Sequence, residues 1–212
     1  MPNFVLACFA VLTAVHLYAC AGGMQKLRRF TKPFLMPVLM LWYTLAARTP
    51  SAVVAMALLL GCVGDFFLLH DERRKNLYLG IASFAAGHIL YLAFLLPRIR
   101  LPAWWAVALL AAVYGAGLVW SCLRIRPHAP KGMFAGSALY AALLCCMSAC
   151  AALYALSGHS PLPFFGSLLF LISDSILSNE IMVKRTRYGT LAVMSAYIAA
   201  QFLLALGFSS GI

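Results

Sequence analysis

Long apolar runs, separated by short polar stretches, fill almost the whole chain. A helix needs about 20 apolar residues to cross roughly 30 Å of hydrocarbon, and the runs have about this length. The pattern therefore predicts eight membrane-spanning helices, of which the second is short: 3–22, 33–48, 51–70, 77–97, 101–121, 133–156, 162–182 and 189–208. Only brief loops separate them. We therefore predict an all-α, polytopic integral membrane protein whose eight helices form a single bundle, with one transmembrane domain over residues 1–212.

The composition agrees with a membrane protein. Apolar residues make up 64% of the chain and charged residues 10%, and the mean hydropathy is +0.93. These values lie far from those of soluble globular domains. The seven cysteines lie mostly inside predicted helices and form no CxxC pair, so we interpret them as small buried side chains rather than a disulfide framework. We expect neither a metal nor another cofactor.

The net charge of +11 comes from basic residues that lie mainly in loops on one side of the predicted bundle. All but three of the 16 Lys and Arg residues lie in the loops after predicted helices 1, 3, 5 and 7: Lys26, Arg28, Arg29, Lys32, Arg73, Arg74, Lys75, Arg124, Arg126, Lys131, Lys184, Arg185 and Arg187. The opposite loops hold only Arg48, Arg98 and Arg100. The positive-inside rule therefore places both termini outside the cytoplasm, and no basic stripe remains to bind nucleic acid. Whether the membrane is a bacterial inner membrane or an endoplasmic reticulum stays open.

Two acidic residues stand alone inside apolar segments. The chain has five acidic residues, of which Asp71, Glu72 and Glu180 lie near segment ends, whereas Asp65 and Asp174 do not. Acids inside a membrane usually mark a proton path, an ion site or a catalytic group. An ion pair or a hydrogen-bonded core acid is the structural alternative for both carboxyls, which we do not favour because no Lys or Arg lies inside a predicted span; Lys32 is the nearest basic residue. We therefore expect Asn at either position to maintain or raise thermal stability, because the substitution removes a buried charge.

The two aspartates are predicted to lie at similar depths. Both of their helices run toward the cytoplasm, and a rise of 1.5 Å per residue puts Asp65 roughly 8 Å and Asp174 roughly 12 Å from the inner ends. The helix after each one carries a polar face: Phe84, His88 and Tyr91 on the first, Tyr197 and Gln201 on the second. His88 follows Asp65 by 23 residues, and Tyr197 follows Asp174 by the same interval. The spacing suggests two hairpins related by a parallel repeat.

Structural interpretations of the polar side chains remain open at this point. They are hydrogen-bonded packing for His88, Tyr91, Tyr197 and Gln201, a bond from Ser173 to its own helix, and snorkelling to the membrane surface for Lys32.

Five short motifs lie in order on predicted helices 2, 3, 4, 7 and 8: Lys32-Pro33, Gly64-Asp65 with Leu68, Phe84 through Gly87-His88 to Tyr91, Phe170 with Ser173-Asp174, and Tyr197 with Gln201. In this order and spacing, and nearly from end to end, the chain resembles the YhhN family of membrane lysoplasmalogenases. One departure is Asn179-Glu180-Ile181, where similar sequences usually carry a small residue followed by Lys-Phe. No role is carried over to that end of the helix.

The resemblance implies hydrolysis of the vinyl ether bond of a lysoplasmalogen, a lysophospholipid of the bilayer, to a fatty aldehyde and a glycerophospho head group. Two carboxyls that share a low-dielectric cavity cannot both ionise readily. One of Asp65 and Asp174 would protonate the alkenyl carbon, while the other would stabilise the cation and take a proton from water, as in glycosidases. The sequence does not assign these two roles. The expected supporting residues orient water or bond the carboxyls: His88, Tyr91, Ser173, Tyr197 and Gln201. Lys32 would hold the substrate phosphate.

Three other classes of function fit parts of the pattern. A proton-coupled transporter would use Asp65 and Asp174 as a relay. An intramembrane aspartyl protease fits Gly64-Asp65 weakly, because Cys62 stands where that motif has glycine. A zinc hydrolase would need two or three histidines, and only His88 lies at the depth of the aspartates. The oligomeric state is not predicted.

The charge distribution makes the topology testable. A reporter that works only in the cytoplasm should be silent when fused after Ile212 and active when inserted near Arg126, because the basic loops are predicted to be cytoplasmic. Reporter activity in cells expressing each fusion is the measurement. The opposite result would invert the topology or remove one span from the count.

Overall fold

The computed structural model describes residues 1–69, 74–100, 103–129 and 132–209, with Arg74 described by its backbone alone. These residues form eight α-helices and a short 3-10 helix, Leu96–Arg98, and no strand. The helices are α1 Pro2–Ala21, α2 Gln25–Ala46, α3 Ala52–Leu68, α4 Arg74–Leu95, α5 Trp104–Ile125, α6 Met133–Leu156, α7 Leu162–Met182 and α8 Gly189–Ser209. The prediction of an all-α chain is confirmed. Outside the described residues lie the predicted span ends at 70 and 101–102, together with Asp71, Glu72, Arg73, Lys131 and Ile212.

Six of the eight helices are long and apolar enough to cross a membrane: α1 and α4 to α8. The other two differ in ways that the hydropathy pattern explains. α3 has 17 residues, slightly fewer than a full span needs, and the first two turns of α2 carry Lys26, Arg28, Arg29 and Lys32. The structure therefore supports a multi-pass membrane protein, and the count of eight spans remains a prediction.

α2 begins eight residues earlier than the sequence predicted, at Gln25 instead of residue 33. The prediction relied on Pro33, because proline favours the first turn of a helix, but Pro33 and Pro37 both lie inside α2. Pro37 has no N–H to donate to the carbonyl of Pro33. The thiol of Cys62 on α3 donates to that carbonyl instead, at 3.3 Å. The longer helix carries Lys32 into the protein interior.

The hairpins α3–α4 and α7–α8 form the closest helix pairs of the bundle. In the first hairpin, a Cβ atom at Gly64 would come within 2.8 Å of the Phe84 ring, so only glycine allows this approach. In the second, Ser173 donates a hydrogen bond to the carbonyl of Val193 at 3.0 Å. Phe84 follows Gly64, and Val193 follows Ser173, by the same number of residues. The two contacts differ in kind, ring packing in the first hairpin and a hydrogen bond in the second, and the repeat remains a prediction.

Candidate active site

A polar cavity of about 280 Å³ lies among α2, α3, α7 and α8. Five of the residues predicted for the site line it: Lys32, Asp65, Ser173, Asp174 and Tyr197. α3 ends at Leu68, so Asp65 lies in its last turn, while Asp174 lies about two turns from the end of α7. The structure thus brings the two aspartates, which are far apart in sequence, to the walls of one cavity.

Asp65 is held by two donors from different helices. The ammonium of Lys32 on α2 lies 3.1 Å from Asp65 Oδ1, and the hydroxyl of Tyr197 on α8 donates to Oδ2 at 2.8 Å. Lys32 and Asp65 are only 8% and 2% exposed. The expectation that no basic residue pairs with the intramembrane acids is therefore wrong for Asp65. The cause is the early start of α2, which places Lys32 within the helix.

Lys32 was also expected to hold the substrate phosphate near the cytoplasmic surface, whereas its ammonium contacts the Asp65 carboxylate. Snorkelling to the membrane surface does not describe Lys32, because the side chain is buried, whereas its contact with a substrate phosphate remains a prediction. Gly61 on α3 leaves the space for this cluster: a Cβ atom there would lie 3.3 Å from the Tyr197 hydroxyl and 3.5 Å from Gln201 Nε2.

A second buried contact fixes α2 beside Lys32. The hydroxyl of Thr31 donates to the carbonyl of Leu27 at 2.8 Å, so it accepts from Nδ1–H of the fully buried His16 on α1, at 2.7 Å. That tautomer leaves His16 Nε2 as an acceptor for the thiol of Cys20, at 3.6 Å. His16 was missed in the sequence. A lone histidine on apolar α1 was the available signal, and its partner on α2 was not visible there.

The surroundings of Asp174 differ from those of Asp65. Among the described residues Asp174 forms no ion pair, and the side chain next to its carboxyl is Tyr140 on α6. The Tyr140 hydroxyl lies near that carboxyl, but it does not meet hydrogen-bond geometry with any described residue. Asp174 also lines a second, apolar cavity. Tyr140 was missed in the sequence because no motif singles out α6.

Three predicted site residues lie behind the polar cavity rather than on its wall. His88 is bonded to its own helix, with Nδ1 at 2.8 Å from the Phe84 carbonyl, and its ring packs on Phe170 at 4.3 Å between centroids. His88 Nε2 has no hydrogen-bond partner among the described residues. Tyr91 donates to Gln201 Oε1 at 2.9 Å and so joins α4 to α8. These contacts match the structural interpretation of Tyr91 and Gln201.

Ser173 and Glu180 each connect α7 to the chain beyond its C-terminal end. Ser173 donates to Val193 on α8, not to its own helix, so the expected backbone bond within α7 is wrong. The Glu180 carboxylate accepts from the backbone N–H of Thr186, at 3.0 and 3.1 Å, and from its hydroxyl at 2.6 Å. Glu180 lies where the sequence departs from the family pattern, and it ties down the loop at the cavity mouth.

The polar cavity is basic where the start of α2 and the segment between α7 and α8 line it, and we call this end its mouth. The lining residues there are Gln25, Arg28, Arg29, Arg185, Thr186 and Thr190. Within the described part of the chain, no group of three or more His, Cys, Asp or Glu side chains is arranged to hold a metal ion. The arrangement can therefore supply two carboxyls, one ammonium and one phenol inside a cavity whose rim attracts anions.

Comparison with known proteins gives one family and several relatives. The YhhN family matches residues 27–208. Lysoplasmalogenase TMEM86B of Sus scrofa is 31% identical over 160 residues, which cover 75% of this chain and 64% of that protein. The Rattus norvegicus protein of that name is 28% identical over 82% of this chain and 69% of its own length. The Mus musculus protein is 27% identical over 97% and 84%. The chain thus spans less than two thirds of the porcine relative, and no solved structure matches it significantly.

The ion pair makes the two aspartates unequal in a stability test. Asp65→Asn should lower the melting temperature in detergent, because it leaves the Lys32 ammonium buried without its carboxylate, a loss of about 3 kcal/mol for a buried pair. Lys32→Met should do the same, and the double variant should recover most of the loss. Asp174→Asn, which strands no cation, serves as the matched control and should maintain or raise stability. Equal effects of the two Asn variants would contradict the pairing.

Proposed function

This chain belongs to the YhhN family, and from that premise we propose that it is a multi-pass membrane hydrolase that cleaves the vinyl ether bond of lysoplasmalogens. The products are a fatty aldehyde and a glycerophospho head group. The names of the pig, rat and mouse relatives support this activity. The observation that carries the proposal is that Asp65 and Asp174 line the same polar cavity, because vinyl ether hydrolysis needs a proton donor to carbon and stabilisation of an oxocarbenium ion, which one carboxylic acid and one carboxylate can supply.

The contacts of the two aspartates suggest which one has which role. A nearby cation and a donated hydrogen bond favour the ionised form of a carboxyl, and Asp65 has both, from Lys32 and Tyr197. Asp174 has no cation beside it within the described residues; its neighbour is the neutral Tyr140 phenol, and it borders an apolar cavity where the neutral form is favoured. We therefore assign Asp174 as the proton donor and Asp65 as the carboxylate.

The reaction then proceeds in two balanced steps. Asp174 gives its proton to the alkenyl carbon that is not bonded to oxygen, and the Asp65 carboxylate stabilises the resulting oxocarbenium ion. Asp65 next takes a proton from water as the water oxygen bonds to the cationic carbon, which forms a hemiacetal. In the second step the hemiacetal hydroxyl returns its proton to Asp174 while Asp65 protonates the departing glycerol oxygen. The carbon–oxygen bond breaks, the aldehyde forms, and both carboxyls regain their starting states.

The negative charge of the substrate phosphate indicates where the head group binds. Arg28 lies one turn before Lys32 on α2 and lines the same cavity, so we place the phosphate of the substrate at this basic part of the lining. Guanidinium groups bind phosphate oxygens through paired hydrogen bonds. With the phosphate at the mouth and the vinyl ether at Asp174, the polar part of the lipid fills the polar cavity. The arginine-rich end of the bundle is the one that the charge distribution predicts to be cytoplasmic.

The proposed activity can be measured on the purified protein with a lysoplasmalogen and its 1-O-alkyl and 1-acyl analogues. Mass spectrometry should detect aldehyde from the first substrate alone. In D₂O the aldehyde should gain one deuterium on the carbon next to the carbonyl, because the first step puts a solvent-derived proton there. Absence of aldehyde, together with proton uptake into vesicles that depends on Asp65, would favour the transporter instead.

The paired carboxyls give a sharp mutational prediction. Asp65→Asn and Asp174→Asn should each reduce turnover by far more than tenfold, because each removes a group that transfers a proton in the mechanism. Ser83→Ala is the control, since the Ser83 hydroxyl donates to its own helix, at the Leu79 carbonyl, and does not line the polar cavity. Aldehyde release per folded protein is the readout. A variant that keeps more than about a tenth of wild-type turnover, a loss under 1.4 kcal/mol, would rule out the paired-acid mechanism.

A further inference from the structure

The apolar cavity of about 370 Å³ lies among α4, α5, α6 and α7, on the side of Asp174 away from Lys32. Its wall is formed almost entirely by aliphatic, aromatic and small side chains, among them Ile81, Gly117, Ala141 and Leu171. We call it the apolar chamber. The proposed chemistry uses only Asp174 from this wall, so the rest of the chamber has no role in the reaction described above.

The apolar chamber and the polar cavity share part of their walls. Asp174 lines both of them, together with four apolar residues: Leu68, Phe84, Leu177 and Ile181. The polar and the apolar space therefore meet at the carboxyl that is assigned as proton donor. A ligand that occupies both must be polar at one end and apolar at the other, with the change of polarity at Asp174.

The size of the chamber matches one lipid chain. Its wall follows α5 from Val113 to Ile125 and α6 from Met133 to Cys145. At 1.5 Å per residue each stretch is about 18 Å long. One leaflet of a bilayer, half of roughly 30 Å of hydrocarbon, accommodates a lipid chain in a similar length.

The outer wall of the chamber faces the membrane. Of the residues of α5, only Ala106 is buried, and Trp120 is 64% exposed although it lines the chamber. α5 packs mainly on α6 and only lightly on α7. The light packing of α5 on α7 makes this the side from which a chain would enter the chamber from the bilayer.

From these observations we propose that the apolar chamber binds the single hydrocarbon chain of the lysolipid, which enters from the bilayer, and that the α5 wall limits the length of chain that is hydrolysed. This rests on the proposed function and extends it from the reaction to the choice of substrate. The chain in the chamber and the phosphate at the basic mouth together hold the vinyl ether at Asp174.

Two glycines on α5 provide a matched pair of variants. A Cβ atom meets nothing within 4 Å at Gly117 or at Gly115, so the first carbon of a side chain can be added at either position without displacing a neighbour. Gly117 lines the apolar chamber and Gly115 does not. Gly117→Leu and Gly117→Phe should fill the chamber, while Gly115→Leu and Gly115→Phe add the same side chains to the same helix outside it.

The measurement is kcat/KM for lysoplasmalogens with dodecenyl and octadecenyl chains. Gly117→Phe should lose at least about tenfold on the octadecenyl substrate and keep most of its rate on the dodecenyl one, a difference of the size expected when several methylenes lose their pocket. Gly117→Leu should give a smaller change in the same direction. Both Gly115 variants should keep the wild-type ratio. An unchanged ratio in the folded Gly117 variants would overturn the proposal.

A binding experiment separates failure of this proposal from failure of the proposed function. A 1-O-hexadecyl lysophosphoethanolamine with a diazirine at the chain end lacks the vinyl ether, so it reports binding alone. Photolabelling in detergent should mark α5 and α6 between residues 113 and 145 in the wild type and the Gly115 variants, should be displaced by unlabelled 1-O-alkyl lipid, and should weaken in Gly117→Phe. Labelling of this kind without aldehyde release would contradict only the proposed hydrolase activity. Aldehyde release with labels elsewhere would contradict the proposal that the apolar chamber binds the hydrocarbon chain.

Discussion

The buried ion pair between Lys32 and Asp65 is the constraint on which the arrangement of the bundle depends. A carboxylate in a low-dielectric interior is tolerated only when cations and hydrogen-bond donors surround it. Lys32 reaches Asp65 because α2 continues through two prolines, with Cys62 bonding the carbonyl that Pro37 leaves without a donor. Tyr197 completes the shell from α8. Three helices from both ends of the chain are thus fixed to one side chain.

These contacts give the two aspartates, Asp65 and Asp174, different surroundings. Asp65 lies between an ammonium and a phenol, whereas Asp174 lies between a polar and an apolar cavity. In the proposed reaction this difference decides which carboxyl carries the proton before the substrate arrives. The two carboxyls have different neighbours: α2 places Lys32 beside Asp65, and α6 places Tyr140 beside Asp174.

The two cavities differ in polarity in the same way as the surroundings of the two aspartates. In the proposed binding mode, the basic mouth holds the phosphate, the carboxyls contact the vinyl ether and the apolar chamber holds the hydrocarbon chain. α5 completes the chamber but contributes almost nothing to the buried core. A helix in this position can form a wall toward the bilayer because lipid, rather than water, covers its outer face. The contacts that hold the bundle together are made by the remaining helices.

The sequence by itself determined the helices, since a run of apolar residues is a local property that the membrane thickness converts into a span. It also singled out Asp65 and Asp174, because an isolated acid in such a run is costly wherever it packs. Only the tertiary structure decided which side chains contact these two carboxyls. Pro33 marked a helix start in sequence and lies inside α2 in the structure, so the basic residue beside it became an ion-pair partner. His16 and Tyr140 carry no motif, and their roles arise from helices that meet across long sequence separations. Which faces meet is set by packing between helices, and local periodicity does not encode it.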